Sequence, residues 1–478
     1  MSHTVEKIGG TSMSNYPAVR DNIIIGDRGS DDYYQRIFVV SAYGGVTNLL
    51  LEHKKTDQPG IYALFTDADD EQAWRKAVDS LREALHAINR KLYTDDELLE
   101  AADSFIDQRI DGAETVLDNL RNLCEHGHFK LDDHLLTVRE MLTSIGEVHS
   151  AWNTTQLLRS DGINARFVDL SGWKADTTLP LDQVISTAFT DIDLSNELPI
   201  VTGYAHCEEG LMASFDRGYS EMTFSRIAVI TGASEAIIHK EYHLSSADPG
   251  IVGEDEIVPI GRTNYDVADQ LANLGMEAIH PRAAKGLRQS AIPLRVKNTF
   301  EPEHSGTLIT GDYISATPCV EIIAGRRHLH AIELFDQDMV GMLGEYEKTL
   351  LDIFRRFRAT VVSKDTNANT VTHYLGCNLK TVKRIIKAIK EQLPGSEVEH
   401  RKVSMVSAIG SDMQVPGILA RAVSALAESN ISILAMHQSM RQVDMQFIVD
   451  ETDYNSAVIS LHKRLIKPYD YGTAICVA

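Results

Sequence analysis

Short apolar runs bounded by glycine turns alternate with helical stretches over residues 1–60, in the order strand, turn, helix, strand, turn, helix. Val39-Val40-Ser41-Ala42 closes the second buried strand, and Gly44-Gly45-Val46-Thr47-Asn48 forms the turn after it. Residues 69–160 are rich in Asp, Glu, Leu and Ala, hold few glycines, and predict mostly helix. The β/α rhythm then returns. Arg166-Phe167-Val168-Asp169, Pro199-Ile200-Val201-Thr202-Gly203 and Glu235 to His239 are predicted strands, and Arg217 to Ile230 is a loop entering a helix. Thr263 predicts a helix N-cap with Asp266 three residues on. Val267, Ala268, Leu271 and Leu274 give that helix its buried stripe. Such alternation predicts an α/β sheet with binding loops at the strand C-termini.

After Thr307 the pattern changes. His330-Ala331-Ile332-Glu333-Leu334, Thr360-Val361-Val362 and Thr370-Val371-Thr372-His373 are predicted strands, and Met342 to Phe357 and Val382 to Leu393 are helices. A similar order recurs in Val403 to Ala408, a helix from about Pro416 to Glu428, Ile431-Ser432-Ile433-Leu434 and Met445 to Val449. This predicts two ferredoxin-like βαββαβ units in tandem, an internal repeat spaced by roughly 75 residues.

Composition narrows the function. A chain of 478 residues predicts about two to four domains. A formal charge of -22 opposes a nucleic-acid surface, which needs clustered basic charge. Anionic substrates would therefore need local cations set against an acidic whole. Cys124, Cys207, Cys319, Cys377 and Cys476 are scattered without a Cys-x-x-Cys pair, so neither zinc nor a disulfide framework is expected. No apolar signal region and no run of about 18 apolar residues is evident, so a cytosolic protein without a membrane partner is expected.

Lys7-Ile8-Gly9-Gly10-Thr11-Ser12 follows an apolar run directly. A lysine on a glycine turn at a strand end suits phosphate, because backbone N–H groups can approach the anion and the lysine adds a point charge. Further on stand Ile292-Pro293-Leu294-Arg295-Val296-Lys297-Asn298-Thr299-Phe300 and Ser305-Gly306-Thr307. Together these stretches resemble the aspartate kinases of the amino-acid kinase family, which open on Lys-Phe-Gly-Gly-Thr-Ser. Val40 to Leu50, Gly146-Glu147, Arg217-Gly218-Tyr219-Ser220-Glu221, Ala247-Asp248-Pro249 and Ile279-His280-Pro281-Arg282 match in order. Gly410-Ser411-Asp412-Met413 with Pro416-Gly417-Ile418 resembles the effector loop of an ACT domain.

The resemblance implies an amino-acid kinase sandwich, a sheet between helix layers, over residues 1–312. Two ACT domains would follow at 318–398, completed by 456–478, and at 400–455. It implies transfer of the γ-phosphoryl group of ATP to the β-carboxylate of L-aspartate, with Mg²⁺ bridging phosphates. Lys7, Arg217 and Glu221 would be catalytic. Ser41, Thr47, Glu147, Arg217 and Ser220 would bind substrate: Arg217 suits the α-carboxylate and Glu147 the ammonium group. Gly9, Gly10, Thr11, Ser12, Gly45, Lys240, Glu241 and Asp248 would face phosphate or nucleotide. A lysine or threonine effector is expected near Asp338, Gly344, Asp412 and Ile418, with the ACT domains making a homodimer or larger assembly. No resident protein-ligated metal is expected.

The departures are concentrated. Tyr219 stands where the family has glycine, Glu221 where it has aspartate, and His239-Lys240-Glu241 where it has Trp-Thr-Asp. Gly250 and Glu277 stand where nucleotide-side arginine and lysine are usual, and Lys240 or Arg262 would substitute. This variant pattern resembles the ectoine-associated branch. Two alternatives remain: an impaired amino-acid sensor that keeps its ACT domains, and a kinase for another acidic amino acid.

Overall fold

The computed structural model describes residues 2–29, 32–53, 56, 58–67, 71–215, 218–276 and 278–466. The chain divides into two compact units. One holds residues 1–243 and 279–310, and the other 244–278 and 311–478.

The first unit contains strands β1 (Thr4–Ile8), β2 (Arg36–Val40), β3 (Ala165–Val168), β4 (Leu198–Thr202), β5 (Glu235–Lys240), β7 (Leu294–Asn298) and β8 (Thr307–Thr310). The short β6 (Arg262–Asn264) lies in the second unit's sequence. The order is β3-β4-β2-β1-β5-β7-β8. All these pairs are parallel except β7 with β8. Central β1 and β2 are buried almost throughout, as strands covered on both faces must be. The predicted helical region holds the long helices Glu71–Leu92, Asp96–Cys124 and Leu135–Ser160. The last of these has a buried centre from Leu142 to Ala151.

The second unit carries β9 (Ile322–Phe335), β10 (Thr360–Thr366), β11 (Thr370–Gly376), β12 (Glu397–Ile409), β13 (Ala435–Gln438) and β14 (Asp444–Asp450) in the order β10-β11-β9-β12-β14-β13. The two predicted βαββαβ units share this sheet because β9 and β12 are long enough to serve both. The latter part of β9, the helices Leu343–Arg356 and Leu379–Gln392, and the first part of β12 enclose Ile332, Leu350, Phe354, Val371, Ile385 and Ile389.

Three sequence expectations differ from the structure. The tail was expected to complete the first ACT unit. Instead the helix Tyr454–Leu465 packs its Ala457, Val458 and Leu461 with Val406, Ile418, Leu426 and Phe447, which belong to the second unit; residues 467–478 lie outside the described residues. The helix expected after Thr263 is capped by Asn264, whose side chain accepts from the Val267 N–H at 3.0 Å; Thr263 itself lies inside β6, and its hydroxyl donates to Glu321. The strand placed at Ile431–Leu434 begins at Ala435. In addition, Leu244, Ile260, Val267, Leu271 and Leu274 share a core with Ile322, Leu329 and Met405, so residues 244–278 belong with the C-terminal unit although they precede residue 312. Cys124, Cys207, Cys319 and Cys377 are free thiols. Among the described residues no helix is long and apolar enough to cross a membrane.

Candidate active site

Lys7 sits near the C-terminal end of β1, flanked by Val39 on β2 and Ile238 on β5. It is 6% exposed. Burial pulls its pKa down, and the Glu221 carboxylate, with Oε1 3.9 Å from Nζ, opposes that pull. Glu221 is fixed in turn: its Oε2 accepts from the His280 N–H at 2.5 Å, where the helix Pro281–Gln289 begins. Lys240, Glu147 and Glu241 also act electrostatically on Lys7. The structure thus brings together Lys7, Glu147, Glu221, Lys240 and Glu241 from three distant parts of the sequence.

Glu147 lies mid-helix in Leu135–Ser160 and is 2% exposed. Burial raises its pKa to about 7, against hydrogen bonding that favours the ionised form. One oxygen accepts from the Tyr219 hydroxyl at 2.5 Å, while Oε2 is buried without a hydrogen-bond partner. Ser220 is buried beside it. A Cβ on Gly203, just past β4, would stand 2.9 Å from the Ser220 Cβ and 3.2 Å from the Glu147 Cγ. Only a glycine lets the strand end approach these two side chains.

The two glycine turns are tied together. The Gly44 N–H donates to the Ser14 hydroxyl at 2.8 Å, and a Cβ on Gly10 would meet the Ala42 carbonyl oxygen at 2.6 Å. Gly45 takes φ +89° at the N-terminus of the helix Val46–Leu50, where Thr47 is half-buried. Ser41 is half-buried, and its carbonyl accepts from Ser150. Gly10 and Thr11 open the helix Gly10–Met13, with Thr11 exposed.

Other nominated residues prove less suited. The Gly9 N–H donates to the His239 carbonyl at 3.2 Å across to β5, so it is not available to a phosphate oxygen. Buried Ser12 accepts from the Thr299 hydroxyl at 2.9 Å. Asp248 lies in the second unit and accepts from the Gly250 N–H at 2.8 Å, capping a short helix. Arg217 and Glu277 lie outside the described residues. In the ACT region, the Asp338 N–H donates to Asp336 and the Ile418 N–H to the Val415 carbonyl, so neither backbone amide is open to an effector's carboxylate. The Asp412 carboxylate accepts from the Gln414 N–H, and Gly344 lies in the first turn of Leu343–Arg356.

Sequence reasoning missed a buried ionic group on β1. Glu6 accepts from Arg36 at 2.7 Å and pairs with His239 at 2.7 Å. Burial would push Glu6 up, yet Arg36 and His239 outweigh it and hold the carboxyl well below the usual range. Three polar residues on adjacent strands give no signal until the register Glu6 to Ile237 is known.

The profile of the amino acid kinase family matches residues 3–298, and that of an ACT domain matches residues 406–465. The aspartate kinase Ask_Ect of Stutzerimonas stutzeri strain A1501 is 56% identical over 476 residues, covering 100% of both chains. The chain belongs to the aspartate kinase family. The resemblance to the ectoine-associated branch is supported by that relative. A more distant aspartate kinase, aspartokinase 1 of Bacillus subtilis strain 168, is 25% identical over 342 residues, 68% of this chain and 81% of its own. Two solved structures of Escherichia coli aspartokinase III share the fold. The R-state complex with aspartate and ADP has a TM-score of 0.71 at 20% identity, covering 98% of this chain and 100% of its own. The T-state complex with lysine and aspartate has a TM-score of 0.70 at 19% identity, covering 97% and 100%. The ACT match includes the helix Tyr454–Leu465, in keeping with its packing in the second unit.

Proposed function

We propose that this aspartate kinase transfers the γ-phosphoryl group of ATP to the β-carboxylate of L-aspartate, giving 4-phospho-L-aspartate and ADP. The observation that carries the reading is a lysine buried at the C-terminal edge of a parallel sheet, between two carboxylates with different partners. That edge is where open α/β sheets take their ligands.

Both reactants are anions, so catalysis is alignment plus cancellation of charge. The aspartate carboxylate is already deprotonated and needs no general base. One of its oxygens bonds to the γ-phosphorus as the bond to the β,γ-bridging oxygen breaks. Lys7 offsets the charge on the transferring group, and Glu221, fixed by the His280 amide, keeps Lys7 protonated and aimed. Glu147 presents its unpartnered oxygen to the substrate ammonium. By resemblance, Arg217 takes the α-carboxylate, while Ser41, Thr47 and Ser220 orient oxygens. Gly10, Thr11 and Gly45 line the phosphate turns, and Lys240 stands in for a nucleotide-side cation. Mg²⁺, when bound, would neutralise charge on the phosphates.

The same proposal places the catalytic region within 1–312, of which residues 244–278 pack in the C-terminal unit. The ACT pair would form a homodimer that answers to lysine or threonine, in the cytosol, at the head of aspartate-family or ectoine synthesis. The test is hydroxamate formation from hydroxylamine with ATP and Mg²⁺. L-Aspartate should give hydroxamate and L-glutamate should not. Equal yields from both, or none from aspartate, would refute the assignment.

A further inference from the structure

Tyr219 is the side chain that holds Glu147, and its position is built rather than incidental. It is 3% exposed in the first turn of the helix Tyr219–Thr231. Its ring meets Tyr204 edge-on at 5.8 Å, and the Tyr204 hydroxyl is anchored on Glu140 at 2.7 Å. From that packing its hydroxyl reaches one Glu147 oxygen at 2.5 Å and leaves the other without a partner. We propose that Tyr219 is a positioning residue for the amino-acid substrate: its hydroxyl fixes the Glu147 carboxylate in orientation and in its ionised form, ready for the substrate's ammonium group. The inference rests on the reading of Glu147 given above.

The chemistry follows from burial. A carboxylate out of water reverts to its neutral form unless something favours the charge. Several groups act on Glu147: Lys7 from β1, the Ala42 backbone just past β2, Tyr219 from the first turn of its helix and Tyr204 from beyond β4; Glu221, Lys240 and Glu241 reach it only through Lys7, on which they act. Burial still lifts the Glu147 pKa to about 7, with the Tyr219 hydrogen bond the largest effect opposing it. A phenol donor to a charged acceptor is worth about one pKa unit or somewhat more. Without it, Glu147 would be mostly neutral at neutral pH and a poor partner for a cation.

The experiment measures kcat/KM for aspartate and KM for ATP from pH 5.5 to 8.5 in the full-length enzyme, the Tyr219→Phe variant and the Glu147→Gln variant, with thermal melts alongside. Phenylalanine keeps the ring and its packing on Tyr204. The expected result is an acid limb moved up by about one pH unit. Efficiency for aspartate should fall roughly tenfold at acid pH, rejoin wild type at the alkaline end, and leave the KM for ATP unchanged. A uniform loss at every pH, or no change, means that Tyr219 only packs and overturns the proposal. Glu147→Gln separates the two readings. A selective rise in KM for aspartate with a flattened acid limb upholds the site. If KM for aspartate is unchanged, the site reading itself falls, whatever Tyr219→Phe does.

Discussion

A buried lysine on β1, a buried glutamate on the helix Leu135–Ser160 and a buried glutamate–arginine–histidine group on β1, β2 and β5 each make a different demand. Lys7 must remain a cation although burial depresses its pKa, and Glu221 supplies the counter-charge. Glu147 must face one substrate only. Glu147→Gln should therefore raise KM for aspartate by at least about tenfold and leave KM for ATP near wild type. Steady-state kinetics with each substrate varied in turn would show this. Glu6 has no place in the chemistry, yet it neutralises Arg36 inside the sheet. Glu6→Gln leaves that guanidinium buried beside a neutral amide, and losing one member of a buried pair costs ~3–5 kcal/mol. Chemical denaturation should show that loss. Because the folded pKa of Glu6 is depressed, its stabilisation is present above the unfolded value of 4.5 and is lost progressively as pH falls below it. The wild-type advantage over Glu6→Gln should shrink on acidification. At this scale residue type and motif together single out Lys7, Glu147 and Glu221, which the structure places near one another. The sequence was opaque at Glu6, whose partners come from β2 and β5.

Between elements, close approach decides which substitutions are tolerated. The helix Leu135–Ser160 crosses the second glycine turn at Gly146, where a Cβ would stand 2.7 Å from the Ala42 Cβ and 3.2 Å from Val46 Cγ1. Alanine in a helix interior gains up to about 1 kcal/mol over glycine. Overpacking against a side-chain stem so near the backbone costs ~1–3 kcal/mol, so the clash should win. Gly146→Ala should lower the melting temperature and, by displacing the turn at 42–46, reduce turnover as well. A variant as stable as wild type would mean that the helix and turn separate more easily than the packing indicates. Helices and strands were largely readable from periodicity. Their ends were not, because a cap is set by where the strand before it ends: β6 takes in Thr263, and Asn264 becomes the cap. Likewise Ile431–Leu434 has strand composition, but pairing with β14 starts at Ala435.

For the whole chain, the order of domains was legible and their true edges were not. Residues 244–278 follow the kinase rhythm in sequence, while Leu244, Ile260, Val267, Leu271 and Leu274 find their core among β9 and β12 residues. No local pattern announces such a return. Truncation after residue 315 should thus strip those side chains of their cover and give an unstable or insoluble product. A soluble, active fragment would contradict this division. Effector responses to lysine and threonine should accordingly be sought in the full-length chain, where an inhibitor must bind the less active arrangement more tightly. The account depends most on Lys7 as the cation that meets the transferring phosphoryl group. The direct measurement is the rate of aspartyl hydroxamate formation by Lys7→Ala beside wild type, with circular dichroism to verify the fold. The prediction is a loss of about 10²-fold or more in turnover with an unchanged spectrum; a folded variant that keeps over half the wild-type rate would contradict it.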